Sequence, residues 1–433
     1  MTELASPPLP GALAAIVSEQ YVSADPNACA GYAVQGIVPA CVVAPGSLEE
    51  LAAVMRVAHE RRAAVVPWGG GTQQSLGNLP ERIDMVVRTE RLNRVLIHEP
   101  DDLTISVEAG TTIGALREYL APHGQMLPLD PPLPVQATIG GLIATAADGP
   151  RRLGYGTLRN LLIGITVVEA SGQISRGGGM VVKNVSGFDM MKLYLGSFGT
   201  LAINASANFK LLPIPRAAAA LICAFDAAAA AFTTIEALQL TQLTPTAAEY
   251  LNDHALQALE LEGRCALALR AEGLAAAVDR HIIGMTELAT RNGATGLREL
   301  RGPQEAELWS RIANLPQAAT LAPDEALLKL TALPIETERA IAQIEALAAR
   351  HGGQATIDAR ALSGVIYARL RPVAPESLRS IAAALPGIRW IATTLADVPR
   401  WGAPPPGIEL MQRIKTEFDP AGILNRGRYV AGM

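Results

Sequence analysis

The stretch Pro67-Trp68-Gly69-Gly70-Gly71-Thr72-Gln73 follows directly on the apolar run at residues 63–66. Three consecutive glycines lose more backbone entropy on folding than other residues would, so their place at a strand end needs a physical reason. Glycine lets successive main-chain N–H groups turn toward one point, and such a nest of donors suits a phosphate. Two familiar phosphate loops do not fit. No Gly-Lys-Ser/Thr follows, and Gln74 stands where the dinucleotide fingerprint has its third glycine. Taken alone, the segment reads equally well as a plain strand-to-loop turn.

Other chemistry-bearing residues are sparse. The four cysteines, Cys29, Cys41, Cys223 and Cys265, show no CxxC spacing, which fits a reducing compartment and argues against a zinc or iron-sulfur site in this chain. The six histidines, His59, His98, His123, His254, His281 and His351, are far apart in sequence, so no metal site is expected. With 36 Lys and Arg against 41 Asp and Glu, the formal charge is −5, and no dense basic tract suggests nucleic acid as a partner. The first twenty residues lack a basic n-region, and the most apolar run, residues 217–225, is too short to span a bilayer. A soluble cytoplasmic protein is expected, with membrane association only through a partner.

The elements that must position these residues follow from periodicity. Residues 39–66 read as strand, helix, strand, with Ser47 as a cap and Leu48, Leu51, Val54, Met55 and Ala58 as one apolar stripe. Residues 83–110 alternate as strands, and Thr111 or Thr112 caps the helix that follows. Residues 138–212 alternate glycine-rich loops with strands, one α+β region rather than a βαβ array. In the segment 183–192, Asp189 reads as a cap or a partner of Lys192, with Lys183 and Asn184 beside it and Met190 and Met191 in the core. Beyond residue 216 the chain turns alanine-rich, and strands alternate with helices at 273–291, 336–350 and 376–385, as expected for helices laid on an antiparallel sheet. A proline break precedes a last helix and an irregular tail. No tandem repeat stands out.

Residues 124–216, with GQMLPLDPP, GPRR, VVKNVSGFDMMKL and GSFGTLAI, together with PWGGGTQQSLGN and the closing EFDPAGILNRGR, resemble the FAD-binding domain of the vanillyl-alcohol-oxidase and p-cresol-methylhydroxylase superfamily. Within it, the wording is most similar to the FAD-binding E subunits of glycolate oxidase (glycolate dehydrogenase). The resemblance implies an α+β fold: a two-subdomain PCMH-type FAD-binding domain over 1–216, a ferredoxin-like α+β cap over 217–401, and a helix and tail over 402–433 that return to the first domain. It implies that Pro67 to Gln73 hold the FAD diphosphate by backbone N–H groups. The second loop, with Thr138, Ile139, Gly140, Gly141, Ala144 and Thr145, would cover its other side, the two glycines allowing close backbone approach. Gly154, Tyr155, Gly156 and the backbone of Ile203 would line the adenine and ring portions. Some relatives attach the flavin through a histidine near the first loop; Thr72 and Gln73 stand there instead, so FAD is expected to be tight but non-covalent.

In related 2-hydroxyacid dehydrogenases an arginine binds the substrate carboxylate, which a planar guanidinium grips bidentately. The resemblance offers Arg151 and Arg152, and Arg311 in LWSRIANLP. The pair could equally contact phosphate or a neighbouring subunit, and Arg311 could be a solvated charge at a helix end. The histidine-rich metal motif common in self-sufficient relatives has no counterpart here, and no residue announces itself as the general base. The expected function is therefore the FAD-binding subunit of a glycolate oxidase, acting on a small 2-hydroxyacid beside a homologous FAD catalytic subunit and an iron-sulfur subunit. The rivals are a stand-alone dehydrogenase of another 2-hydroxyacid such as D-lactate, and a non-catalytic scaffold. Two departures from the family's wording, Asp148 for a glycine and Asn425-Arg426-Gly427-Arg428 near the end, bear on local loop geometry.

Overall fold

A computed structural model describes residues 7–181 and 188–433, so Lys183 and Asn184 lie outside the described residues. The N-terminal part carries two sheets. The first contains β1 (Val22–Ser23), β2 (Cys41–Val43), β3 (Val65–Trp68) and β4 (Met85–Arg88), in the order β1-β2-β4-β3, with β2 and β3 parallel to β4. A parallel pair needs a crossover, and the helix Leu48–Glu60 supplies it between β2 and β3. Ser47 accepts the Glu50 amide at 3.1 Å, and Leu51, Val54, Met55 and Ala58 are buried, as the stripe implied.

The second sheet is antiparallel. Its strands β5 (Val95–Glu99), β6 (Thr104–Glu108), β8 (Leu162–Glu169), β9 (Ile174–Gly178) and β10 (Ala202–Lys210) run in the order β5-β6-β10-β8-β9, and a short ribbon pairs β7 (Gln125–Met126) with β11 (Leu212–Pro213). Thr112 caps the helix Ile113–Leu120 through the Ala115 amide. Met190 and Met191 pack at the margin of this core, and Lys192 pairs with Asp189.

The third sheet spans β12 (Ala217–Phe225), β13 (Ala247–Asn252), β14 (Cys265–Gly273), β15 (Gly296–Arg301), β16 (Ala326–Thr331), β17 (Gln354–Arg360), β18 (Val365–Arg371) and β19 (Ile388–Thr393). Its order, β15-β12-β14-β13-β17-β18-β16-β19, divides at the β13–β17 pair into two ferredoxin-like units, each strand-helix-strand-strand-helix-strand with spatial order fourth, first, third, second from its outer edge. The third sheet is thus a structural duplication, where the sequence shows no repeat. Helices 228–239, 275–291, 337–350 and 375–384 cover one face through Phe232, Ile235, Ile282, Met285, Ile344, Leu347, Leu378 and Ile381.

Side chains alternate across a strand. Tyr250, Leu267, Leu269, Ile357 and Ile366 therefore face that helical core, while Glu249, Arg270, Glu272, Asp358 and Arg360 point to the opposite face, toward the N-terminal part. The helix Pro303–Asn314 covers the outer end of this second face with Leu308, Trp309 and Ile312. The C-terminal segment returns to the first sheet: the Val65 amide donates to Ile423 (2.8 Å) and the Asn425 amide to Val65 (2.9 Å), extending the edge of β3. Leu76, Phe198, Tyr367, Trp401 and Tyr429 close the seam between the tail, the N-terminal part and the third sheet.

Candidate functional site

β3 carries the chain into the triple-glycine loop at the edge where the two N-terminal sheets meet. Amide N–H groups of residues 69–73 donate no hydrogen bond among the described residues. Five consecutive donors without a protein acceptor, on a loop where Thr72 is buried and Gly70 exposed, form an anion nest. Glycine is obligatory at two of the positions: a Cβ on Gly69 would lie 2.1 Å from Thr138 Oγ1, and one on Gly70 would lie 1.8 Å from the carbonyl oxygen of Gln136. The two small-residue loops approach to backbone contact there, yet an open groove runs beside them.

Thirteen of the expected cofactor residues line that groove: Pro67, Trp68, Gly69, Gly70, Gly71, Thr72, Gln73, Thr138, Gly140, Gly141, Ala144, Thr145 and Ile203. The second loop contributes in a different way from the first. Residues 139–145 form a helix whose first amides are already used: Ile139 donates to Thr111, Gly140 to Ala109, and Gly141 to Thr138 Oγ1. A Cβ on Gly140 would press on Ala109 at 3.0 Å, so this glycine seats the helix against the end of β6. The second loop therefore walls the groove while the first supplies the donors. Ile139 itself is buried beneath the helix.

Gly154, Tyr155 and Gly156 are not among the groove's lining residues. Gly154 donates its amide to Thr246 in the approach to β13 and has no room for a Cβ against that residue. Tyr155 sits near Glu272, its hydroxyl pushed up to about 12, mainly by burial. Gly156 adopts φ +80°, with Asn160 beside it. The segment serves the contact between the N-terminal part and the third sheet.

That contact is a layer of paired charges. Arg151 donates to Glu272 (2.7 Å), and its backbone amide donates to Asp130. Burial works against its charge, but Glu272 keeps the guanidinium above its ordinary value. Arg152 pairs with Asp148 (2.5 Å), and Asp148 also pairs with Arg360. Burial opposes the ionised Asp148, yet Arg360, Lys329 and Arg152 outweigh it and hold the carboxyl below its usual value. Next to it, burial and Asp358 push Glu249 well up, and burial raises Asp358 to about 6. Asp148 thus anchors an ion cluster between the N-terminal part and the third sheet.

A second cavity, of about 610 Å³, opens at this layer between Arg117, Asp130, Arg151, Arg270, Trp309 and Asn314. Arg270 pairs with Glu305 (2.6 Å) and lies over the Trp309 ring. Burial raises Asp130 to about 6 against the pull of Arg151. Arg311 is not brought here. One position along from Ser310 on the same helix, it turns outward to Glu260 (3.5 Å) and the carbonyl of Ala258, as a solvated helix-end charge. Arg117 and Arg270 were not singled out in the sequence; a lone arginine in a helix or strand carries no signal until the fold converges it with others. Arg428, which also lines the first groove, was legible only as a change in a loop motif.

The groove fits a dinucleotide: free amides for phosphate, a glycine wall that admits backbone contact, and one buried cation. No histidine or cysteine is among its lining residues, and no group of three or more His, Cys, Asp or Glu is placed to hold a metal among the described residues. The FAD binding domain family matches residues 39–178, and the C-terminal domain family of FAD linked oxidases matches 400–429. The chain is 26% identical to glycolate oxidase subunit GlcD of Bacillus subtilis (strain 168) over 91% of this chain and 89% of that protein. It is 36% identical to a D-2-hydroxyglutarate dehydrogenase of Xanthomonas citri, over 51% of this chain and 46% of the relative. A D-lactate dehydrogenase of Archaeoglobus fulgidus matches at 34% over 50% of this chain and 48% of that protein. Among solved structures, p-cresol methylhydroxylase with substrate bound superposes with TM-score 0.76 at 14% identity, covering 97% of this chain and 96% of the other, which bears on the fold alone. Glycine loops, groove and returning tail together carry one conclusion: residues 39–178 form an FAD binding domain, residues 400–429 match the C-terminal domain of FAD linked oxidases, and FAD is the cofactor, on a fold shared with p-cresol methylhydroxylase.

Proposed function

We propose that this chain is the FAD-binding subunit of a glycolate oxidase, oxidising glycolate to glyoxylate with electrons passed on to partner subunits. The observation that carries the reading is the free-amide nest facing a glycine wall, in a chain whose likeness to a GlcD subunit runs nearly end to end. When bound, FAD supplies the two-electron acceptor for the substrate C–H bond, while the hydroxyl proton goes to a base. Among the described residues, the lining of the groove holds no Asp, Glu, His or Lys, which supports a division of labour with a homologous catalytic subunit and an iron-sulfur subunit. FAD would be held without a covalent bond, through the backbone of residues 69–73. Membrane association would come only through a partner; no described helix is long and apolar enough to cross a bilayer.

A second reading, a dehydrogenase of another 2-hydroxyacid working alone, draws on the arginine-lined cavity between the N-terminal part and the third sheet, where Arg151 could grip a carboxylate. Purification from the host with its companions, then glycolate- and D-lactate-dependent dye reduction with and without them, separates the two. The subunit reading expects glycolate turnover that needs the companions. Rapid reduction by the isolated chain, with D-lactate preferred, would replace it.

A further inference from the structure

The tail's Arg428 is 1% exposed, and its Nη1 donates to Gln74 Oε1 (2.8 Å) and Asn425 Oδ1 (3.3 Å). Its Nη2 donates to the carbonyls of Gln74 (2.8 Å) and Leu76 (2.7 Å), and Nε finds no acceptor. Every one of these partners is neutral, and no carboxylate pairs with it among the described residues. Arg270 and Arg360, buried to a similar degree, each have carboxylates. Arg400 is also held only by carbonyls, but it lines neither of the two cavities described, and Arg117, which donates to the Leu129 carbonyl (2.7 Å) and lines the second cavity, has the Asp130 carboxyl near it there. A buried charge without a counter-charge is costly, and the cost is removed when an opposite charge enters the same site. Burial pulls the guanidinium down to about 9, so it remains charged at neutral pH. Among the described residues, it lines the groove together with the free-amide loop.

We propose that Arg428 is the preformed counter-charge of the cofactor's diphosphate, so that dinucleotide binding and anchoring of the C-terminal segment 423–433 stabilise each other. Arg428 ties that segment to the first glycine loop through Gln74 and Leu76, and its carbonyl receives Trp401 Nε1 (3.0 Å). Linkage is reciprocal: what the tail contributes to cofactor affinity, the cofactor returns to tail stability.

The most discriminating variant is Gln74→Glu. It keeps Arg428 and places a carboxylate where the amide oxygen now accepts, at the loss of the Gln74 Nε2 donation to the Pro67 carbonyl (3.0 Å). The flavin-stripped variant should melt at a higher temperature than the stripped wild type while binding both FAD and ADP roughly 10- to 100-fold more weakly, the worth of a charge-assisted contact. Arg428→Gln should show the same loss without the gain in melting temperature, and Arg428→Lys should recover part of it. Riboflavin, which has no phosphate, should bind Gln74→Glu and wild type alike. With wild type, ADP alone should protect the tail from proteolysis. Unchanged ADP affinity in Gln74→Glu, loss of FAD with ADP retained, equal loss of riboflavin, or no protection by ADP would each overturn the assignment.

Discussion

Two polar regions of this molecule solve the problem of buried charge in opposite ways. The groove is built from backbone: free amides at residues 69–73, a wall of small residues, and one cation, Arg428, with only neutral partners. The layer against the third sheet is built from side chains: Arg151, Arg152, Arg270 and Arg360, each matched to a carboxylate. The first leaves its amides and its one cation without a charged partner; the second matches four arginines to carboxylates, while Arg117, at the cavity beside them, is held by the Leu129 carbonyl. Free donors and an unmatched charge mark where a partner is missing, whereas a matched cluster marks the contact between the N-terminal part and the third sheet.

That contact can be broken most severely at Arg360. Arg360→Met leaves Asp148 with Arg152 alone and Glu249 without its nearby cation on the buried face, and removing one partner of a buried pair typically costs about 3–5 kcal/mol. Urea denaturation should show that loss, while flavin content per folded chain stays near wild type. The groove is broken by Gly70→Ala, whose methyl would meet the Gln136 carbonyl. Overpacking on this scale costs about 3 kcal/mol, so FAD affinity should fall roughly 100-fold in fluorescence titration with far-ultraviolet dichroism preserved.

A subtler change sharpens the contrast through pH. Because the folded-state Glu249 carboxyl is pushed well above its ordinary value, the native state keeps a proton that the unfolded chain releases. Stability is therefore lost as pH rises above the unfolded value of about 4.3. Glu249→Gln removes that loss: it should be neutral near pH 4 and stabilising by about 1–2 kcal/mol near pH 8, read from thermal melts across the range. Smallest of all, Arg311→Ala removes an exposed pair and should change the unfolding free energy by less than about 0.5 kcal/mol.

Much of the fold was legible because local physics decides it. The Ser47 and Thr112 caps, the stripe of the helix 48–60 and the alternation of β6 and β14 need no tertiary context. Strands β13, β15, β17 and β19 were not singled out: in GLRELR and QATIDAR charged residues interrupt the apolar alternation, and their burial or pairing depends on the facing surface. The duplication in the third sheet was hidden for a related reason, since it lives in strand order and not in residue identity. In the groove, the first loop was legible from its glycines and the second through the family resemblance, but their unequal roles were not. That the amides of Ile139 and Gly140 are already bonded to Thr111 and Ala109 is a fact of packing. Arg311 misled because its motif fixes a helix, and the helix turns that position away from the cavity.

Equilibrium titration of the flavin-stripped chain with FAD, followed by acid precipitation of the reconstituted protein, tests the groove most directly. The expected result is saturable binding of one FAD per chain, competition by ADP, and release of all the colour into the supernatant. Absence of saturable binding by folded protein, or flavin that stays with the precipitate, would contradict a backbone-built, non-covalent site.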